Sequence, residues 1–493
     1  MKCKHAAILL VALVRLMFPL SIFGDEASDS ETIDESVQMI DASGEWFYYI
    51  YDGNASLGGL VDYDKGGDIV IPSTLDGYTV KGIAEFNISG RNVTSITIPE
   101  GVTDIYDGAF VGDGAWVGGY PYPRDGEHMW NYIDQSEVNR YLEPASLATL
   151  PEPRSDGALT LSVAIPESMT SIGKYLFYDL PVADFLVSPG NQTYADIDGV
   201  LYDKEGKTLV SYPTSRDGAY DIPEGVTSIG CRAFMLSERL TGVSIPSSVE
   251  SIGEEAFMAC NRLTSVTLPP SIKSIGNGAF SYCTFLNDIY IPDSVASIGD
   301  GVFYLSTHLN TITIPNSVKS IGVSVFGCCT RLTDVRIPDS ITSIGDWAFA
   351  GSGLETLVIP DSVERLGDSA FAESSLTSII IPSNVKSIGN NLFAYCGSLT
   401  DVSISDGITS ISEGMFTSCS ELTNVMIPNS VTYIGDSAFA WCTDLTGVTI
   451  PENVVDIGEK AFIGCEKLTL RVKSGSYAEQ YAKDNGIHYV YMK

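Results

Sequence analysis

A proline preceded by an aliphatic residue returns along this chain at nearly constant spacing. The slot is filled by Pro223, Pro246, Pro269, Pro292, Pro315, Pro338, Pro360 and Pro382, once by Ser405, and again by Pro428 and Pro451. Eight of the ten intervals are 23 residues and two are 22. Six residues after each slot comes Ile or Leu, usually followed by Gly, and eleven after it comes Phe without exception, from Phe234 to Phe462. Two isolated earlier turns, Pro99 with Phe110 and Pro166 with Phe177, keep the same spacing. A period of this size marks a solenoid, in which each unit buries its apolar face only against its neighbours. The prior of about three domains for 493 residues therefore does not apply.

Each turn has a physical reading. In Leu263-Thr-Ser-Val266-Thr-Leu268-Pro the last apolar residues alternate with polar ones, as a half-buried strand requires. Proline ends the pairing because it has no N–H to give. Ile272 and Ile275 make a second inward pair, and Gly276 is expected to supply a permissive backbone for a tight bend. A short helical turn carrying Phe280 is expected to close the coil. Acidic or Asn residues follow the glycine, as at Asn277, Asp300, Asp346, Asp368 and Asp436, where the N-terminus of such a helical turn wants an acceptor.

That pattern accounts for much of the charge. The chain carries 28 basic and 62 acidic residues, a net −34, yet only 18% of it is charged and 44% is hydrophobic. Such an excess of carboxylates excludes general nucleic-acid binding and disfavours anionic lipid, without implying a disordered chain. Seven of the ten cysteines occupy one slot, fourteen residues after the proline: Cys260, Cys283, Cys329, Cys396, Cys419, Cys442 and Cys465. Ser237, Ser306, Ser352 and Ser374 fill it elsewhere. This interchange points to small buried residues and free thiols, not to a disulfide framework.

Outside the regular array, residues 1–24 have a basic start and a mostly apolar run from Ala6 to Phe23, the pattern of a secretory signal. Uncleaved, the segment would serve as an N-terminal anchor, the one expected route to a membrane. Residues 25–45 are acidic, Ser-rich and free of aromatics, and read as a flexible spacer. Residues 46–110 hold the first degenerate turns, 111–162 an aromatic-rich insertion, 163–222 a further degenerate repeat, 223–468 the regular array and 469–493 a terminal segment.

The repeats resemble the BspA-type leucine-rich repeat family. Ile291-Pro-Asp-Ser-Val295 with Ile298-Gly299 and Phe303 carries the likeness, as does Ile427-Pro-Asn-Ser-Val431 with Ile434-Gly435, Ala438-Phe439 and Cys442. The resemblance implies an α/β-type leucine-rich repeat solenoid, β-rich, with repeats of about 23 residues, short strands and short helical turns, capped at both ends. It implies a hairpin across Asp198–Pro213, and a terminal cap at Gly475–Lys483 in which Ser476 caps a short helix. It also implies an extracellular or cell-surface location and a role in adhesion to host or matrix proteins.

Contact residues are expected on the outward face of the main strands, two residues before the proline. Read along the array, that position gives Tyr290, Arg336, Val358, Ile380 and Met426, with Asp288, Asp334 and Asp401 at the preceding outward position. Val358, Ile380 and Met426 are apolar where solvent is expected, and Tyr and Arg are enriched at interface hot spots. Ordinary β-propensity is the competing account of this stripe. The insertion, with Trp116 and Trp130, is a second candidate, either a binding loop or a folded lid.

Catalytic signals are poor. The chain has no Walker loop, HExxH or G-x-S-x-G, and no CxxC pair for zinc. Besides His5 in the signal-like segment, its histidines are His128, His308 and His488. No cofactor or metal is expected, and the favoured function is a non-enzymatic protein-binding module. A structural surface spacer is the alternative, and an enzyme built on the insertion comes last.

Overall fold

The computed structural model describes residues 38–62, 66–87, 93–107, 109–110, 116–117, 120–121, 161–173 and 180–492. The expected signal at 1–24, the start of the spacer, Phe177, His128 and Trp130 lie outside them.

From Ser228 onward the chain coils with three sides per turn. The first is a parallel sheet of short main strands such as Ser265–Thr267 and Asp288–Tyr290, with Val266 opposite Ile289. Their central residues are buried and their flanking residues exposed, as the alternation predicts. The second side is a ladder of two-residue parallel strands, Ser251–Ile252, Ser274–Ile275 and Ser297–Ile298, each pairing with the next.

The third side is not helical. Among the described residues the only α-helix is Tyr477–Asp484. Each repeat instead crosses this side in a run of turns with two left-handed residues, for example Arg232 and Leu236 (φ 59° each) or Ser437 and Trp441 (φ 53° and 62°). These reverse the peptide direction, so successive N–H groups point alternately along and across the coil. Arg232, Phe234 and Leu236 donate to the carbonyls of Glu254, Ala256 and Met258 in the next turn. Ala233, Met235 and Ser237 donate back three residues, within their own turn. Most of these N–H groups thus find a carbonyl, and the alternate bonds tie two repeats together.

This geometry corrects two further expectations. Gly276 is not a left-handed bend. A Cβ there would lie 2.5 Å from the Glu254 nitrogen, so glycine is needed because one turn presses on the backbone of the last. The acidic residue that follows does not cap a helix. Asp346 Oδ1 accepts the Asp368 N–H at 2.8 Å, Asp368 Oδ1 accepts that of Asn390 at 2.7 Å, and Asp436 Oδ1 accepts that of Glu459 at 2.8 Å. Asn277 and Asp300 do the same for the turns after them. The two positions depend on each other: a Cβ on Gly367 would fall 2.3 Å from Asp346 Oδ1. The missing side chain makes the space through which the carboxylate reaches the next turn.

Inside, the eleven phenylalanines from Phe234 to Phe462 form one column. Neighbouring ring centroids are 4.8–5.9 Å apart, and the planes agree to within 17°. Tyr212 and Tyr220 adjoin the first ring, and Tyr481 of the terminal helix meets Phe462 edge-on at 6.2 Å. Ser476 accepts the Glu479 N–H at the start of that helix.

Apolar burial falls into two clusters, one running from Trp46 to Leu201 and the other from Val200 to Ala482. They meet on the strand Val200–Asp203, which pairs with Tyr194–Ile197 as a hairpin. Alternation sends Leu201 into the first cluster and Val200 and Tyr202 into the second.

Candidate functional site

The outward residues of the main sheet are held in line by its register. Thr267 pairs with Tyr290, Thr313 with Arg336, Ile380 with Ser403 and Met426 with Thr449. Leu357 pairs with Ile379, which sets Val358 beside Ile380 on the next turn. The turn-to-turn step is about 4.8 Å, so Val358 and Ile380 are adjacent and Met426 stands two turns beyond Ile380, while Arg336 lies on the turn before Val358, at the end of the neighbouring strand ladder.

All of these side chains stand in solvent: Val358 is 82% exposed, Met426 79%, Ile380 63% and Tyr290 62%. Exposure of this degree is costly for aliphatic side chains, about 25 cal/mol for every Å² of apolar surface left in water. Asp288, Asp334 and Asp401 are exposed on the same face, two residues earlier on their strands. Asp334 and Asp401 sit opposite Thr311 and Ser378 of the preceding turns.

Outward positions of the same kind extend beyond the residues expected from sequence. Val70 (64% exposed) and Leu186 (55%) hold the equivalent outward position in a separate four-stranded sheet, where Val70 pairs with Thr97, Thr97 with Ala164, and Ala164 with Leu186. Val70 was accessible from the two-before-proline rule applied to Pro72. Leu186 was not, because Pro189 comes one residue later than the rule requires. Arg471 and Val490 continue the column at the far end, through Thr449 and then Arg471 as partners.

Of the insertion, Trp116–Val117 pairs antiparallel with Tyr120–Pro121, and Trp130 lies outside the described residues. The histidines within reach are structural. His308 Nδ1 donates to the Thr284 carbonyl at 2.7 Å and its ring packs on Phe285 at 4.8 Å. His488 stands on the last strand beside Thr469. No group of three or more His, Cys, Asp or Glu side chains among the described residues is placed to hold a metal ion. Asn191 begins a glycosylation sequon, yet it is fully buried and its amide donates to the carbonyls of Pro166 and Met169.

Comparison with known proteins agrees with this architecture. Residues 227–355 and 343–469 match the BspA type leucine rich repeat region, in six copies. A leucine-rich repeat protein from Bacteroides ovatus is similar over 91% of this chain and 98% of its own, at 24% identity and a TM-score of 0.50. A leucine-rich cell surface protein from Faecalibacterium prausnitzii aligns with 60% of this chain and 97% of its own, at 29% identity and a TM-score of 0.40. No curated protein sequence matches the chain.

Proposed function

This chain belongs, through its repeats, to the BspA-type leucine-rich repeat family, and we propose that it is an exported protein-binding module whose contact surface is the outward column of its main sheet. The observation that carries this reading is the run of aliphatic side chains standing 63–82% in solvent on a face where polar residues suffice. Aliphatic exposure on a rigid, repeated sheet suits a macromolecular partner better than a small molecule, which needs a concave pocket. Export rests on the basic start and the apolar run of residues 1–24. The proposed ligands are host or matrix proteins, and the proposed location is the cell surface or the medium.

The test is saturable binding of residues 25–493 to immobilised fibronectin, fibrinogen and whole host cells at physiological salt. A triple variant, Tyr290→Ser, Arg336→Ser and Ile380→Ser, is compared with the parent. Binding that the triple variant loses supports the column, and equal binding by both removes it. The second reading, a rigid surface spacer, draws on the unbroken phenylalanine column and predicts no saturable ligand at all.

A further inference from the structure

The chemistry beside the aliphatic run points to one kind of partner. Asp334 and Asp401 stand on the same sheet face two residues before the column, roughly 7 Å along the strand. On the other side, three residues beyond the column and just past the proline, come Asp339, Asp361 and Asp406, all exposed. Carboxylates thus stand on both edges of the face around these residues, Asp361 on the turn of Val358 and Asp334 and Asp401 one turn to either side of the pair, while Ser378 and Ser383 flank Ile380 itself. Arg336 is the one base in the column from Tyr290 to Met426.

Two carboxylates further along the array show how a neighbouring turn can neutralise one. Glu452, at the same place after its proline as Asp339 and Asp361, is paired with Lys473 of the next turn, and Asp444 is paired with Lys467. Among the described residues, none of Asp334, Asp339, Asp361, Asp401 and Asp406 has a Lys or Arg within ion-pair distance. The aspartates along the apolar run thus carry charge that no neighbouring turn compensates, as do Glu224 and Asp293 after their own prolines.

We infer that this face takes a cationic amphipathic helix of a partner protein, its apolar stripe on Val358, Ile380 and Met426 and its Lys or Arg residues on the flanking aspartates. The inference rests on the binding reading above and deepens it. The spacing favours a helix lying along the coil axis. Stacked turns repeat at about 4.8 Å, close to the roughly 4.5 Å advanced by three helical residues, so anchors three or four apart fall over successive turns. Val358 to Met426 spans three turn intervals, about 14 Å, or nine to ten residues of helix. Long-range attraction between such a helix and a chain of net −34 would speed the encounter, while the aliphatic contacts fix where it stops.

The test uses the full chain and a fluorescent helical peptide of Leu and Lys with leucines at three- and four-residue spacing. A Leu/Glu peptide of identical pattern and a Lys-rich peptide without the leucine stripe are the controls. Two variants are compared: Val358→Ser with Ile380→Ser, and Asp334→Asn with Asp361→Asn and Asp401→Asn. All five positions are exposed, so unchanged melting curves are expected for both. Saturable binding of the Leu/Lys peptide, weakened about tenfold or more by either variant and by raised salt, supports the inference. Equal binding of the Leu/Glu peptide overturns it. So does loss of binding in the serine variant with none in the asparagine variant, although that result would leave an apolar contact face standing. Binding unchanged in both variants means that the peptide adheres elsewhere to the acidic surface, and overturns the inference outright. The triple-serine test against fibronectin and fibrinogen decides the broader reading independently.

Discussion

The thiol of Cys260 donates to the carbonyl of Phe234, 26 residues upstream, across 3.1 Å. Cys283, Cys329, Cys419 and Cys442 repeat the contact with Phe257, Phe303, Phe393 and Phe416 at 3.0–3.1 Å, and Ser306 makes it with an oxygen, to Phe280 at 2.9 Å. Serine does not always make it: Ser374 pairs with the Cys396 thiol and the hydroxyls of Ser237 and Ser352 have no partner, so what the two residue types share in that slot is small size in a buried place. The nine described cysteines are free, and the thiols serve as hydrogen-bond donors between repeats.

Burial then governs their reactivity. It pushes the thiols of Cys283 and Cys328 up to about 12 and that of Cys396 to about 11. Only Cys231 and Cys465 of the described nine are partly exposed. Titrating the native protein with a thiol reagent at pH 8 should modify these two quickly, with the other seven reacting only on unfolding. Fast labelling of Cys283 or Cys396 in the folded protein would contradict the packing.

The glycine and acidic positions should be energetically coupled. Gly367→Ala drives a methyl into Asp346, and overpacking of this kind costs about 1–3 kcal/mol. Asp346→Ala strips the acceptor from the Asp368 N–H, a loss of about 1 kcal/mol at this exposed site. Because the alanine clashes partly with the carboxylate itself, the double variant should be less destabilised than the sum. Denaturant unfolding of the four proteins measures the cycle, and faster hydrogen exchange of the Asp368 amide reports the local event.

Phe349→Ala should cost about 3–5 kcal/mol, since the ring is fully buried with neighbours at 5.2 and 5.7 Å on either side. Phe462→Ala should cost less, because that ring is slightly exposed and ends the column. In a repeat array the damage is carried by adjacent interfaces. Calorimetry should therefore show the Phe349 variant melting in two separable stages, or at a markedly lower temperature in one.

Acid should loosen the terminal helix before the array. The Lys483 ammonium, the Gly475 N–H and the Tyr491 hydroxyl hold the Glu479 carboxyl down from 4.5 to about 2. A depressed carboxyl contributes stability at any pH above its unfolded value, and loses it as the pH falls through the folded one. Amide protection across Tyr477–Asp484 should thus decline between about pH 4.5 and pH 2, and Glu479→Gln should remove that pH dependence. Constant protection over this range would show that the three contacts contribute nothing in solution.

Much of the molecule was legible in the sequence because the inward residues obey a strict local rule. Val266, Leu268, Ile272, Ile275, Phe280 and Cys283 were all assigned inward from their offsets to Pro269, and all six are buried. Tyr290, Val358, Ile380 and Met426 could be named as outward for the same reason. Leu186 could not, because one extra residue before Pro189 shifts it off the rule, and its outward place comes from pairing with Ala164.

What the sequence alone determined is the period, the identity of each inward side chain and the acidic character of the surface, since these follow from which residue types recur at which offsets. The tertiary structure decided what the third side of the coil is. A bend, a helix cap and a helical turn were the local readings of Gly276, Asn277 and Phe280, and each gave way to contacts with residues 22 or 23 positions away. Local preference favours a helical turn by satisfying N–H groups within one repeat. Stacking offers every second one of them a carbonyl in the next repeat, and the glycine kept because a Cβ would fall 2.5 Å from the backbone of the preceding turn has no local signature separating it from a glycine in a bend.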